Sequence, residues 1–462
     1  MKKLLLFLFL AITFAFSASA QQWVNFSSSA PAAPEVNVTT SNAQTVTFEV
    51  TLPGIFTQDT VVKGMAFTRL IISGGSVVNP AGSPELPVLS YKVAIPDCDA
   101  AVVSYQIVSS QILPSCWVYP VPEIIFEPHP DEYNIQVEQF SFNANAYAQP
   151  RTIEPTATIS SFGSLRNQQY AEITFSPVEF CPVAQQLYVI DKITITITFT
   201  NPVGDLIQEL GIFAGVASAA FINYNDGGHS IEPPVISHQD PAPFVKFINL
   251  QDTAQACKIV CDYLIITESK FFKPNDPTSQ LRRLAEHRKF LNGYDVAIVN
   301  VSQILGLNFE YEGYPDPEFM KEQKMRTFIR RVYEGKNARH IADEHLAFVL
   351  LVGDNYEGNT GMPTGYDHNL QAPYNEGLFA SDYYFCCVTK IKTGPDAGKY
   401  DDIGDLAIGR FSVEIEQHLF NMVHKTIEFE REYIPKAWRK TAGFTYGSFH
   451  GSTTRPQTIL IN

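Results

Sequence analysis

From Ile193 to Phe199 the chain reads Ile-Thr-Ile-Thr-Ile-Thr-Phe, a strict alternation of apolar and hydroxylated residues. Successive side chains of an extended strand point to opposite faces, so such a run buries one face and hydrates the other. A helix built from the same residues would have no clean apolar stripe. Thr45–Thr51 and Met65–Ser73 share the β-branched and aromatic bias. Pro and Gly punctuate these runs, and helical periodicity is scarce up to about Asp240. The first half is therefore expected to form one or two sandwich-like β units.

The pattern changes after Asn223–Val245, a stretch containing Gly227-Gly228, Pro233-Pro234, Pro241 and Pro243. Its composition suits an interdomain linker, a cleavage region or a surface loop. Beyond it, short apolar runs alternate with helical ones. Asp262–Thr267, Asp295–Val301, Ala347–Val352, Asp382–Val388, Leu406–Phe411 and Thr441–Tyr446 read as strands. Ser279–Leu291, Glu318–Tyr333 and Ile415–Tyr433 read as helices. Met325, Phe328, Ile329 and Val332 fall at i, i+3, i+4, i+7, and Leu419, Val423 and Ile427 stack four apart. Ala347–Val352 is wholly apolar, as a strand covered on both faces must be. This half is expected to be an open α/β sheet with helices on both sides.

At the start, Lys2 and Lys3 precede an apolar run, Leu4–Phe16, and Ala18-Ser19-Ala20 stands before Gln21. That is the pattern of a secretory signal peptide, and the run is too short to span a bilayer, which needs ~20 residues. No other stretch is long enough, so no membrane span is expected in the mature chain. The net charge of −15 repels phosphate backbones and argues against nucleic acid as a partner. The seven cysteines are Cys98, Cys116, Cys181, Cys257, Cys261, Cys386 and Cys387. Export permits disulfides, but an odd count leaves at least one thiol unpaired within the chain. None has zinc spacing. Adjacent Cys386 and Cys387, in an apolar run, read as buried wall.

In an open α/β sheet, functional groups gather beyond the carboxyl ends of the strands. The apolar strand ends in Gly353-Asp354, where glycine permits a sharp turn and Asp354 projects from that edge. A second acidic cluster, Asp401, Asp402 and Asp405, precedes Leu406–Phe411. Asp401, Ile403 and Asp405 have i, i+2, i+4 spacing, with which a loop wraps a hard cation, Ile403 giving its carbonyl. The same spacing describes a solvated acidic turn.

Several of these segments resemble the gingipain family of cysteine proteases (peptidase family C25). They are Phe348-Val349-Leu350-Leu351-Val352-Gly353-Asp354, Ser381-Asp382-Tyr383-Tyr384 and Ile408-Gly409-Arg410-Phe411-Ser412. Leu284 with Gly293-Tyr294-Asp295-Val296, and Thr426, Glu428 and Glu430-Arg431, fit as well. Gly82-Ser83-Pro84-Glu85-Leu86-Pro87 followed by Ala94-Ile95-Pro96 resembles the family's propeptide. The resemblance implies a β-rich, sandwich-like inhibitory prodomain followed by an incomplete α/β caspase-like domain. Its divisions are a signal peptide at 1–20, a propeptide-like region at 21–240, a junction at 241–261, and the front of the peptidase domain at 262–462. It also implies Ca2+, held by Asp354, Asp401, Ile403 and Asp405.

A cysteine protease needs a thiolate, a histidine and an oxyanion hole. In the family, a Gly-His-Gly element and then the nucleophilic Cys follow later strands, so both are expected beyond Asn462. His450-Gly451 comes too soon after Ile408, and Cys386 and Cys387 precede it. His368 reads as a surface-loop residue. No catalytic residue is assigned to this chain. The resemblance implies a secreted or cell-surface cysteine endopeptidase zymogen acting on protein or peptide substrates, with this chain a fragment lacking the dyad. Two rivals are a sortase-like protease of type IX secretion, partnered with bacterial secretion machinery, and a non-catalytic secreted adhesin. Lys246 and Lys258 are candidate prodomain cleavage points.

Overall fold

The computed structural model describes residues 21–128, 134–150, 156–166, 168–203, 206, 213–224, 244–309, 320–335, 346–354, 361–364, 366–371, 378–401, 403–431, 442–446 and 457–461. The signal-peptide segment and most of the Asn223–Val245 break lie outside these residues.

The alternating run forms part of a long strand, Gln186–Thr200, which pairs on one side with Thr45–Thr51 and on the other with Ala100–Leu113. Ile193, Ile195 and Ile197 are fully buried, as are Val46, Phe48 and Val50 opposite them. The threonines face outward, and Thr47 Oγ1 lies 3.1 Å from Thr196 Oγ1 across the pair. Glu35–Ser41 and Val178–Cys181 complete this sheet. A second antiparallel sheet contains Ser76–Val77, Pro87–Ile95, Gln168–Phe175 and Ala157–Leu165. Its Leu89, Val93, Ile173 and Phe175 share one core with the isoleucines of the first. Two sheets facing across one core make the first half sandwich-like, as its alternation requires. Replacing Ile195 with valine removes one methylene from a fully buried site. It is expected to cost about 1 kcal/mol, read from the denaturant midpoint.

The second half is built on five parallel strands in the order Val245–Ile248, Val296–Asn300, Tyr263–Thr267, Phe348–Val352, Ala407–Phe411. The apolar strands feed two cores. Leu264, Ile266, Val349 and Leu351 pack against the helix Met320–Glu334 through Met325, Phe328, Ile329 and Val332. Ile265, Leu350 and Val352 pack against Leu281 and Leu284 of Gln280–Asn292 and Leu419, Val423 and Ile427 of Glu416–Arg431. Alternation therefore persists, but with an apolar partner on each face. Gly293 ends the first of these helices in the left-handed region, at φ 72, with its N–H donating to the Lys289 carbonyl at 3.0 Å.

Two buried carboxylates organise the strand starts. Asp262 accepts from the Asp295 N–H, and Asp295 accepts from the Phe244 N–H, each at 2.8 Å. The second bond fixes the entry of Val245–Ile248, the edge strand of the sheet. The α/β sheet thus begins inside the stretch assigned to the junction at 241–261.

Asp382–Val388, expected as a strand, is instead one 3-10 turn at Asp382–Phe385 followed by irregular chain. Ser381 Oγ accepts from the Tyr383 N–H at 3.2 Å and starts the turn. Phe385, Cys386, Cys387 and Val388 are all buried in succession, so there is no alternation for a sheet to use. The Cys386 and Cys387 carbonyls are taken by Asp405 N and Arg326 rather than by a neighbouring strand. His368 lies on Tyr366–Gln371, which pairs with Leu378–Ala380, rather than in a loop. Among the described residues no disulfide joins any two of the seven cysteines. Among the described residues no helix is long and apolar enough to cross a membrane.

Candidate functional site

The carboxyl ends of the parallel strands converge on Glu268, Asn300, Gly353 and Phe411. Gly353 has φ 144, and its N–H donates to the Phe411 carbonyl at 3.0 Å. A Cβ there would stand 2.2 Å from Glu268 Oε1. Glu268, 8 % exposed, accepts from the Asp354 N–H at 3.1 Å and pairs with Lys270 at 2.8 Å. The bare backbone of Gly353 is what lets this carboxylate lie under the turn. Asp354 then receives the Met362 N–H on its carbonyl at 3.1 Å, which holds Met362 at this edge.

Arg410 joins the same edge from the neighbouring strand. Its guanidinium binds Asp382 through Nε and Nη2, each at 2.7 Å, and donates to the Pro363 carbonyl at 2.7 Å and the Gly353 carbonyl at 3.3 Å. A fork of this kind fixes three chain segments by geometry as well as charge. The alternation of the Ala407–Phe411 strand gives no hint of this role. The signal available in the sequence was a lone cation inside an otherwise apolar strand. On the exposed rim, Ser269 Oγ meets Asn300 Oδ1 at 3.1 Å and Ser302 Oγ at 2.9 Å. These groups form a polar, braced platform. His450, the half-motif histidine, lies outside the described residues.

Cys386 and Cys387 sit at the other end of the sheet, beside the amino ends of the strands. Their thiols approach the Tyr383 carbonyl at 3.0 and 3.6 Å. The hydrogen bond with Cys386, then burial, pushes the Cys387 thiol up. A thiol held in its neutral form is a poor nucleophile, and both cysteines are buried, so the pair reads as wall.

The candidate calcium ligands divide between the two edges. Asp354 follows its strand and Asp401, Ile403 and Asp405 precede theirs, and the strands are parallel. At ~3.3 Å per residue the two positions are separated by on the order of 20 Å, whereas the ligands of one calcium ion lie within about 5 Å of each other. The loop itself is also engaged. Asp405, fully buried, accepts at Oδ1 from Arg166 N at 2.9 Å and Thr389 Oγ1 at 2.6 Å. At Oδ2 it accepts from Val388 N and Thr389 N, each at 2.7 Å. Asp401 accepts from Ser164 N and, at 3.3 Å, Ser164 Oγ, and from Ile403 N at 3.1 Å. Burial pushes the Asp405 carboxyl up to about 6, against the pull of its Thr389 and Val388 donors. Ile403 packs its side chain beside Leu165, Tyr170 and Phe221 of the β unit. Donors occupy both lone pairs of each Asp405 oxygen, so these residues do not fit a single calcium site as arranged. Among the described residues no three His, Cys, Asp or Glu side chains are grouped to hold a metal.

The fold and these two edges define an antiparallel β unit seated on the amino edge of an open parallel α/β unit, whose carboxyl edge carries the polar platform. Comparison with known proteins places both halves. Residues 27–231 match Propeptide_C25, and residues 258–457 match Peptidase family C25. The chain belongs to peptidase family C25, the gingipain family. Gingipain R1 of Porphyromonas gingivalis is 22 % identical over 407 residues, covering 86 % of this chain and 33 % of that protein. Lys-gingipain HG66 of the same organism is 28 % identical over 142 residues, 30 % of this chain and 8 % of its own length. The chain thus spans a third or less of the length of these two relatives. A complex of the RgpB pro- and mature domains from Porphyromonas gingivalis is similar to 41 % of this chain and 98 % of its own, at 18 % identity and a TM-score of 0.34.

Proposed function

We propose that the protein to which these residues belong is an exported cysteine-type endopeptidase made as a zymogen. The β unit would be its propeptide, and the α/β unit the front part of a caspase-like peptidase domain. The observation that carries this reading is the pair of matches, propeptide then peptidase, each coinciding with one structural unit. The carboxyl edge supports it. Gly353, Glu268 and the Arg410–Asp382 fork brace the strand ends where a parallel sheet presents reacting groups. The thiolate and histidine that such an enzyme needs are not assigned to any of the described residues. Export follows from the signal-peptide pattern at 1–20, and proteins or peptides are the substrate class.

The test is to express the complete gene product, remove the β unit by limited proteolysis, and assay casein cleavage with and without iodoacetamide. Cleavage that appears after removal and is abolished by the thiol reagent supports the reading. A processed product that cleaves nothing, or whose cleavage ignores the thiol reagent, overturns it.

A further inference from the structure

The two strands Ala157–Leu165 and Gln168–Phe175 form a hairpin whose tip enters the α/β unit. Arg166 at that tip has φ 54, a turn conformation, and is the largest fully buried side chain among the described residues. Its Nη1 donates to the Asp405 carbonyl at 2.6 Å and the Leu346 carbonyl at 3.2 Å. The guanidinium lies 4.3 Å from the Phe213 ring centroid and 5.3 Å from that of Tyr333. Its own N–H and that of Ser164 reach the Asp405 and Asp401 carboxylates. Ser164 Oγ also meets Thr389 Oγ1 at 2.6 Å. A buried cation needs hydrogen-bond acceptors close by, and the α/β unit supplies these as the Asp405 and Leu346 carbonyls, with the Phe213 and Tyr333 rings beside them.

The contact continues away from the tip. Lys392 N donates to Gln169 Oε1 at 2.9 Å, Lys392 Nζ meets Asp97 at 2.8 Å, and Thr393 Oγ1 donates to the Cys98 carbonyl at 2.9 Å. Gly394, at φ 93, lies so close to Phe162 that a Cβ would stand 2.2 Å from its ring.

We propose that the hairpin tip Ser164–Arg166 and the acidic loop Asp401–Asp405 form a latch. It fastens the β unit to the amino edge of the parallel sheet, and the loop is filled by the hairpin in place of a cation. The idea rests on the propeptide reading only for its consequence. The β unit grips the peptidase-like unit at the edge remote from Gly353 and Arg410. Its departure strips Asp401 of both Ser164 donors and Asp405 of the Arg166 donor, so the 386–405 segment registers whether the β unit is present.

Hydrogen exchange on the full chain tests this without reference to peptidase activity, so its outcome is separate from that of the casein assay. In Arg166→Ala, exchange is expected to accelerate at least about tenfold in both 157–175 and 386–406, since amides lose protection when their acceptors open to water. Strands 186–200 and 296–300 should be unchanged. Thr389→Val keeps the shape but removes the hydroxyl between Ser164 and Asp405. It should accelerate the hairpin from the other side, and it decides the matter if Arg166→Ala fails to fold. Wild-type protection should be equal in calcium and in EGTA. Acceleration confined to the mutated unit, or protection of 386–406 that changes about tenfold between calcium and EGTA, would overturn the latch.

Discussion

Alanine at position 353 is expected to destabilise the α/β unit by about 2.5–6 kcal/mol, the sum of backbone strain of ~1–3 kcal/mol and a disturbed hydrogen bond to a charged group of ~1.5–3 kcal/mol. Gly353 sits at φ 144, which a residue with a Cβ rarely adopts. The added methyl would stand 2.2 Å from Glu268 Oε1 and 2.7 Å from its Cγ. Glu268 can move only by releasing the Asp354 N–H and its pairing with Lys270. The measurement is the thermal or urea transition of the α/β unit in Gly353→Ala, Glu268→Ala and the double variant. If crowding against Glu268 contributes, the glycine substitution costs less in the Glu268→Ala background. An equal cost in both backgrounds would leave strain at φ 144 as the whole effect and remove Glu268 from the account.

Much of the fold was legible because it depends on local period. Ile193–Phe199 alternates and forms a half-buried strand. Ala347–Val352 is apolar throughout, and its residues divide between two helical layers. Met325, Phe328, Ile329 and Val332 share a helical face and all reach one core. Asp382–Val388 was misread because aromatic and β-branched composition is shared by strands and by buried irregular chain. What decided it was where the carbonyls of Cys386 and Cys387 find donors, and those donors, Asp405 N and Arg326, are distant in sequence.

The site was legible in part. Gly353-Asp354 was placed at the carboxyl edge from its position after a strand, and the structure puts it there. The same rule, applied to Asp401 and Asp405, places them at the opposite edge, because they precede a strand parallel to the first. That inference was available from order alone, but a shared ligand set taken from the family resemblance drew the two edges together. Arg166 had no local signature. Its acceptors, the Asp405 and Leu346 carbonyls, lie 239 and 180 residues away, and neither propensity nor periodicity carries information over that range.

Asp405→Ala is expected to cost about 3–5 kcal/mol, the range for leaving buried polar partners of a charged group uncompensated. Four donors converge on this carboxylate: Arg166 N, Val388 N, Thr389 N and Thr389 Oγ1. Asp405 is fully buried, so water does not replace the lost acceptor without local opening. Burial disfavours the anion and pushes the carboxyl up to about 6, and the Thr389 and Val388 donors offset only part of that cost. Asp405→Asn keeps one acceptor oxygen but turns an amide N–H2 toward two of the donors, so its cost should fall between wild type and alanine. Urea unfolding at pH 7.5, where the carboxylate is ionised, gives the comparison. The order of stability should be wild type, then Asn, then Ala, unchanged by added calcium. An alanine variant within about 1 kcal/mol of wild type would mean that the donors find other partners. Asp405 would then be a bystander of the loop rather than the group that organises it.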